Sequence, residues 1–253
     1  MSILFSFPSV VGADLIEQMV YYEHDDAELR GFVYFDDATK HARPGVLVVH
    51  EWWGLNDYAK RRARELANLG YVAFAIDMYG VGKLALHPQQ AGEWHRAVIA
   101  NEQFWRARVR TAHDLLAAHP LVDAERTAAI GYCFGGATVL QLAYSGAPVA
   151  GVVSFHGGLP ILKPGQGQQV KAKILVQHGA EDPFVPASKV AAFQAAMTAA
   201  DLDWRLDSYP GARHSFTVKG AGERGMDALA YNAQADQKSW VALQQFLSGI
   251  FKE

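Results

Sequence analysis

The one cysteine of this 253-residue chain stands in Gly131-Tyr132-Cys133-Phe134-Gly135-Gly136. A β-type run, Thr127-Ala128-Ala129-Ile130, leads into it, and a helical run, Ala137-Thr138-Val139-Leu140, follows at once. A Gly-x-Cys-x-Gly-Gly turn between a strand and a helix is a nucleophile elbow with sulfur in the place of the usual serine oxygen. The glycines leave room where a sharp turn has none for Cβ atoms, and the nucleophile's own backbone is strained. A thiol at the start of a helix also meets the positive end of the helix dipole, which favours the thiolate. Most free cysteines are small buried hydrophobes. The flanking glycines and the strand-turn-helix context distinguish this one.

Two later segments supply partners for a thiol nucleophile. His178-Gly179-Ala180-Glu181-Asp182-Pro183 carries Asp182 in the loop after one strand, and Pro210-Gly211-Ala212-Arg213-His214-Ser215-Phe216 carries His214 after the next. Nucleophile, acid and histidine in that order match the triad of an α/β-hydrolase. The histidine would take the thiol proton, and the aspartate would hold its tautomer and orientation. Alone, Asp182 reads equally as a turn or capping aspartate, and His214 is one of ten histidines. Their order and strand-end positions together argue for a triad, with Glu181 as the alternative acid. An oxyanion hole would combine the N–H of Phe134 with one from the loop after the Val46–Val49 strand, that of Trp52. Trp52, Trp53, Tyr79, His156 and Phe216 are candidates for the pocket wall, and each is also a residue type that packs in cores.

These residues need a scaffold that gathers strand ends. Met19–Glu23 and Arg30–Phe35, with Asp25-Asp26 between them, read as an antiparallel hairpin. Gly45–His50 and Tyr71–Asp77 are continuous apolar runs of the kind buried on both faces of a sheet, and Asp57–Leu69 is a helix ended by Gly70. A long helical stretch over Gln89–Ala118 precedes the strand that delivers Cys133. Strands at Val149–Phe155, Ile174–Gln177 and Trp204–Tyr209 alternate with helices at Pro186–Ala200 and Ala235–Phe251. This alternation predicts one α/β domain over residues 1–253. Its central sheet is mostly parallel, with an antiparallel N-terminal hairpin and helices on both faces. In such sheets ligands bind beyond the carboxyl ends of the strands, where every residue singled out above falls.

Composition narrows the classes. Half the residues are hydrophobic and 19% are charged, which suits a single large core. A net charge of −3 gives no electrostatic reason to expect nucleic acid or an anionic membrane as partner, and no obligate protein partner is evident. One cysteine excludes an internal disulfide and a Cys-rich metal site. Ile3–Val11 is apolar but lacks a basic flank and a clear cleavage site, so the expected location is cytoplasmic.

At these residues the chain resembles the dienelactone hydrolase family, the carboxymethylenebutenolidase-like branch of the α/β-hydrolases. The likeness covers nearly the whole chain. It rests on Gly131-Tyr132-Cys133-Phe134-Gly135-Gly136, Asp182 before Pro183, His214-Ser215-Phe216, and Glu51 ahead of Trp53-Gly54-Leu55-Asn56. The resemblance implies a Cys-His-Asp triad with no metal or organic cofactor, and a small ester or lactone as substrate. It also implies that Glu51 contacts the cysteine and activates it when substrate arrives. Without the resemblance, Glu51 reads as a solvated loop acid. The family holds its substrate carboxylate with two arginines, and the corresponding positions here are Val81 and Val218. Valine cannot offer a bidentate fork. Neutral substrates are therefore expected, unless Lys83, Arg213 or Lys219 replaces the arginines.

Three functions follow in order of support. The first is a cysteine-dependent hydrolase of carboxylic esters, lactones or thioesters. The second is a catalytically weak α/β-hydrolase that binds a small ligand. The third, a thiol redox protein, suffers from the lack of a resolving cysteine.

Overall fold

The structure, a computed structural model, describes residues 14–252. The apolar segment Ile3–Val11 lies outside them. Two ten-residue strands, β1 (Leu15–His24) and β2 (Ala27–Asp36), form the opening hairpin and pair antiparallel along their whole length. Asp25 at the tip takes φ 50°, a left-handed conformation that aspartate tolerates better than most residues. The apolar runs become β3 (Arg43–Val49) and β4 (Val72–Ile76), with α1 (Asp57–Asn68) crossing between them. Asn56 caps α1 by accepting the Ala59 amide.

The helical stretch read from Gln89 to Ala118 is two helices, α2 (Pro88–Ile99) and α3 (Glu102–Ala117). Asn101 breaks it. Its backbone is extended and its side chain accepts the Phe104 amide, so it starts a new helix instead of continuing the old one. Then come β5 (Val122–Tyr132), α4 (Phe134–Tyr144), β6 (Gly151–Phe155), β7 (Lys173–Gly179), α5 (Ala187–Ala199), β8 (Trp204–Tyr209) and α6 (Ala233–Ile250). The polar loop at Lys163–Gln169 ends in a single 3-10 turn over Gln166–Gln169.

The eight strands make one sheet in the order β1-β2-β4-β3-β5-β6-β7-β8. β2 meets β4 antiparallel, and β4 through β8 run parallel. Successive side chains of a strand face opposite sides, so each strand feeds two cores. Leu47, Val49, Phe74 and Ile76 pack under α3, α4 and α5. Val46, Val48, Ala73 and Ala75 pack under α1 and α6. All of α4 is buried, which accounts for its apolar, non-amphipathic sequence. Among the described residues no helix is long and apolar enough to cross a membrane.

Candidate active site

Cys133 follows the last residue of β5, and α4 begins immediately after it. Its φ of 54° and ψ of −112° are unusual for a residue with a Cβ. Close packing sustains the turn. A Cβ on Gly131 would lie 2.0 Å from the Gly135 carbonyl oxygen, and one on Gly135 would lie 2.3 Å from that of Val49. The Cys133 amide donates to the Phe155 carbonyl at 3.0 Å and to Nδ1 of His156 at 3.2 Å. His156 is fully buried, and burial pushes its pKa well below the ordinary value, helped by the charge of His214. With Nδ1 accepting, its Nε2 carries the proton and donates to Thr217 Oγ1 at 2.7 Å. His156 therefore braces the elbow from below and does not line the cavity of Cys133.

Asp182 sits in the loop after β7 and His214 in the loop after β8, and the two meet at 2.7 Å between Oδ2 and Nδ1. The other oxygen of Asp182 accepts the Phe184 amide at 2.9 Å, which fixes the carboxylate plane. Glu181 points to solvent and makes no such contact. Burial opposes the charged form of His214. Attraction to Cys133, with the hydrogen bonds of Asp182 and Cys133, outweighs it and raises the imidazole to about 10. With Nδ1 engaged by Asp182, Nε2 is the nitrogen left for Cys133.

Glu51 lies two residues beyond β3, fixed by its neighbour. His50 is buried and neutral, its Nδ1 donates to the Glu51 carbonyl, and its Nε2 accepts the Met78 amide at 3.1 Å. This ties the ends of β3 and β4 together. The Glu51 carboxyl is buried and accepts the Ser215 hydroxyl at 2.5 Å. Burial raises its pKa, against the opposing pull of Ser215, His214 and Arg224. Glu51 is thus far from the solvated loop acid that its position in a turn would suggest. The Trp52 amide, in the turn from Glu51 to Gly54, makes no backbone hydrogen bond among the described residues. The Phe134 amide opens α4 and so lacks an intrahelical acceptor.

Two cavities flank this array. One, of about 280 Å³, is lined by Trp52, His95, Cys133, Phe134, Ala137, Gly158, Phe184, His214, Met226 and Leu229. The other, of about 550 Å³, is walled by Glu51, Ser215, Trp53 and Val218, with Arg61, Lys219 and Arg224 among its polar groups.

The remaining expected wall residues are dispersed. Val81 and Lys83 lie in a separate small cavity of about 50 Å³ with Arg30 and Phe32. Tyr79 and Phe216 are buried, Tyr79 stacked on Phe134 and Phe216 packed with Tyr209 and Ala212. Arg213 is exposed and donates to the Asp227 carbonyl. Of the three cations considered as replacements, only Lys219 reaches a cavity beside the site. His95, Phe184, Met226 and Arg224 were not foreseen. Phe184 stands two residues after Asp182, a proximity that could have marked it, whereas nothing in the local sequence marks the others, since α2 and the 221–229 loop approach the site only through the fold.

A model of the dienelactone hydrolase family matches residues 29–251. The chain belongs to the dienelactone hydrolase family. It is therefore an α/β-hydrolase in fold and a hydrolase of the ester- and lactone-cleaving kind. It is 38% identical to a dienelactone hydrolase-like promiscuous phosphotriesterase from metagenomic libraries. The solved structure of that protein superposes with a TM-score of 0.91 over 95% of this chain and all of its own. It is also 27% identical to a putative carboxymethylenebutenolidase of Saccharolobus solfataricus, over 94% of this chain and the whole of that one. A putative dienelactone hydrolase of Klebsiella pneumoniae shares the fold at 20% identity, with a TM-score of 0.78 over 93% of this chain and 99% of its own. In this dienelactone hydrolase family member Val81 and Val218 stand in different cavities.

Proposed function

We propose that this chain hydrolyses small carboxylic esters or lactones through a Cys133-His214-Asp182 triad and an acyl-enzyme. The observation that carries the reading is the buried Asp182–His214 hydrogen bond of 2.7 Å, on an imidazole whose affinity for a proton is raised by Cys133. The Cys133 sulfur adds to the substrate carbonyl carbon. The oxygen, now bearing the negative charge, is held by the amides of Trp52 and Phe134. The tetrahedral intermediate collapses to a thioester as His214 Nε2 gives its proton to the departing alkoxide. A water then loses a proton to the same nitrogen and attacks the thioester. The carboxylic acid leaves, and sulfur and imidazole regain their starting charges. Every step uses side chains, backbone amides and water alone.

Glu51 enters this reading as a buried acid beside the pair. Its raised pKa favours the neutral carboxyl, which avoids like-charge repulsion with a thiolate. The walls nearest Cys133 are mostly apolar, which favours a neutral acyl group at the reacting end.

Turnover of a 4-nitrophenyl ester by the wild type, with a pre-steady-state burst, tests the proposal. A burst of one acyl group per chain followed by turnover is expected. Stoichiometric acylation without turnover would replace the enzyme with a ligand-binding protein, and consumption of peroxide would favour the redox alternative.

A further inference from the structure

Within the cavity at Cys133, Trp52, Phe134, Ala137, Gly158, Phe184, Met226 and Leu229 offer mainly carbon surface. Apart from Cys133 and His214, His95 is the one lining side chain that can both donate and accept a hydrogen bond. It projects from the third turn of α2, and its ring stands edge-on to Phe134, at 5.2 Å and 89°. That contact places the imidazole across from the elbow. Among the described residues His95 has no hydrogen-bonding or ionic partner, and its nitrogens are not sealed in the core. A half-buried imidazole without a protein partner, in an otherwise apolar wall, loses hydration when a ligand fills the cavity unless the ligand bonds to it.

Resting on the Cys133 hydrolase reading, we propose that His95 is a specificity residue that selects acyl groups carrying a hydroxyl or keto oxygen over hydrocarbon acyl groups. Burial lowers its pKa, and the neighbouring charge of Arg96 lowers it further, so the ring is neutral near pH 7. It then presents one N–H and one lone pair. The N–H donates to a keto oxygen, or the lone pair accepts from a hydroxyl, and neither adds a charge near the thiolate. A hydrocarbon chain fills the same space but leaves the imidazole unpaired, which is the condition under which binding sites discriminate strongly.

The test compares 4-nitrophenyl butanoate, 3-hydroxybutanoate and 4-oxopentanoate on the wild type, His95→Leu and His95→Gln. For His95→Leu, kcat/KM is expected to fall about ten- to hundredfold on at least one oxygenated ester and to change less than about threefold on the butanoate. His95→Gln, which keeps a donor and an acceptor, should recover part of the loss. A uniform effect on all three esters, large or absent, would overturn the proposal, as would a wild type that prefers the butanoate. Cys133→Ala, run alongside, separates the two levels. If it retains turnover the cysteine mechanism fails, whereas a dead Cys133→Ala with an unselective His95→Leu removes only the role of His95.

Discussion

The cavity at Cys133 and the larger one beyond Glu51 share Leu229 as a wall, yet neighbouring residues divide between them. Trp52 faces the first and Trp53 the second, and His214 faces the first and Ser215 the second. Ser215 turns away at φ 55°, a left-handed conformation that reverses the chain after the histidine. The smaller cavity is mostly apolar. The larger holds the cations, with Arg224 lying 4.5 Å over the Trp53 ring and neither Arg224 nor Lys219 ion-paired among the described residues. For the attack proposed at Cys133, a carbon-rich wall keeps water from competing for the hydrogen bonds. Of these charges, Arg224 acts on the Glu51 carboxyl, and none of Arg61, Lys219 and Arg224 lines the cavity of Cys133.

The largest effect should come from the small cavity. Cys133→Ala is expected to lower kcat by about a thousandfold or more, by analogy with other triads that lose their nucleophile. Its melting temperature should stay close to that of the wild type. Near-normal turnover by the folded variant would remove the distinction between the two cavities.

His214→Ala and Asp182→Asn should follow, with losses of about a hundredfold or more and the histidine change the greater. A silent Asp182→Asn beside a damaging Glu181→Gln would contradict the assignment of the acid. The same imidazole predicts a pH dependence of stability. Its folded value of about 10 lies above the ordinary 6.5, so its contribution is complete below about pH 6.5 and is lost as pH rises through about 10. The melting-temperature difference between wild type and His214→Gln, measured from pH 6 to 10.5, should therefore shrink across that window. A difference independent of pH would argue against a protonated resting imidazole.

Charge discrimination comes next. A dienelactone carboxylate is expected to be a poorer substrate than its neutral methyl ester by about tenfold in kcat/KM, since a carboxylate entering an apolar wall loses hydration without a bidentate partner. A tenfold preference for the free acid would instead bring the cationic cavity into substrate binding.

Arg224→Ala should have the smallest effect, under about threefold in kcat/KM on the neutral ester, because an exposed charge acting at a distance is screened. A tenfold loss there would mean that part of the substrate crosses the Glu51 wall.

The linear sequence was enough to show the family's fold pattern and to single out candidate groups. The elbow at Gly131–Gly136 and the alternation of apolar strands and helices are local patterns, and the order Cys133, Asp182, His214 is read along the chain without any knowledge of contacts. Local sterics and the two periodicities of backbone structure make them readable. Asn101 shows where that reading slips. One amide side chain that captures a backbone N–H turned a continuous helical pattern into α2 and α3. Only the tertiary structure decided what surrounds the sulfur. His95, Phe184 and the pair Met226 and Leu229 come from three separate segments, and their approach to Cys133 depends on how helices and loops pack over the sheet. The same packing buried Phe216, made His156 a brace for the elbow, and sent Val81 and Val218 to different cavities. Side-chain type and spacing say which groups could react. Which of them share a cavity is set by long-range packing, to which no short stretch of chain has access.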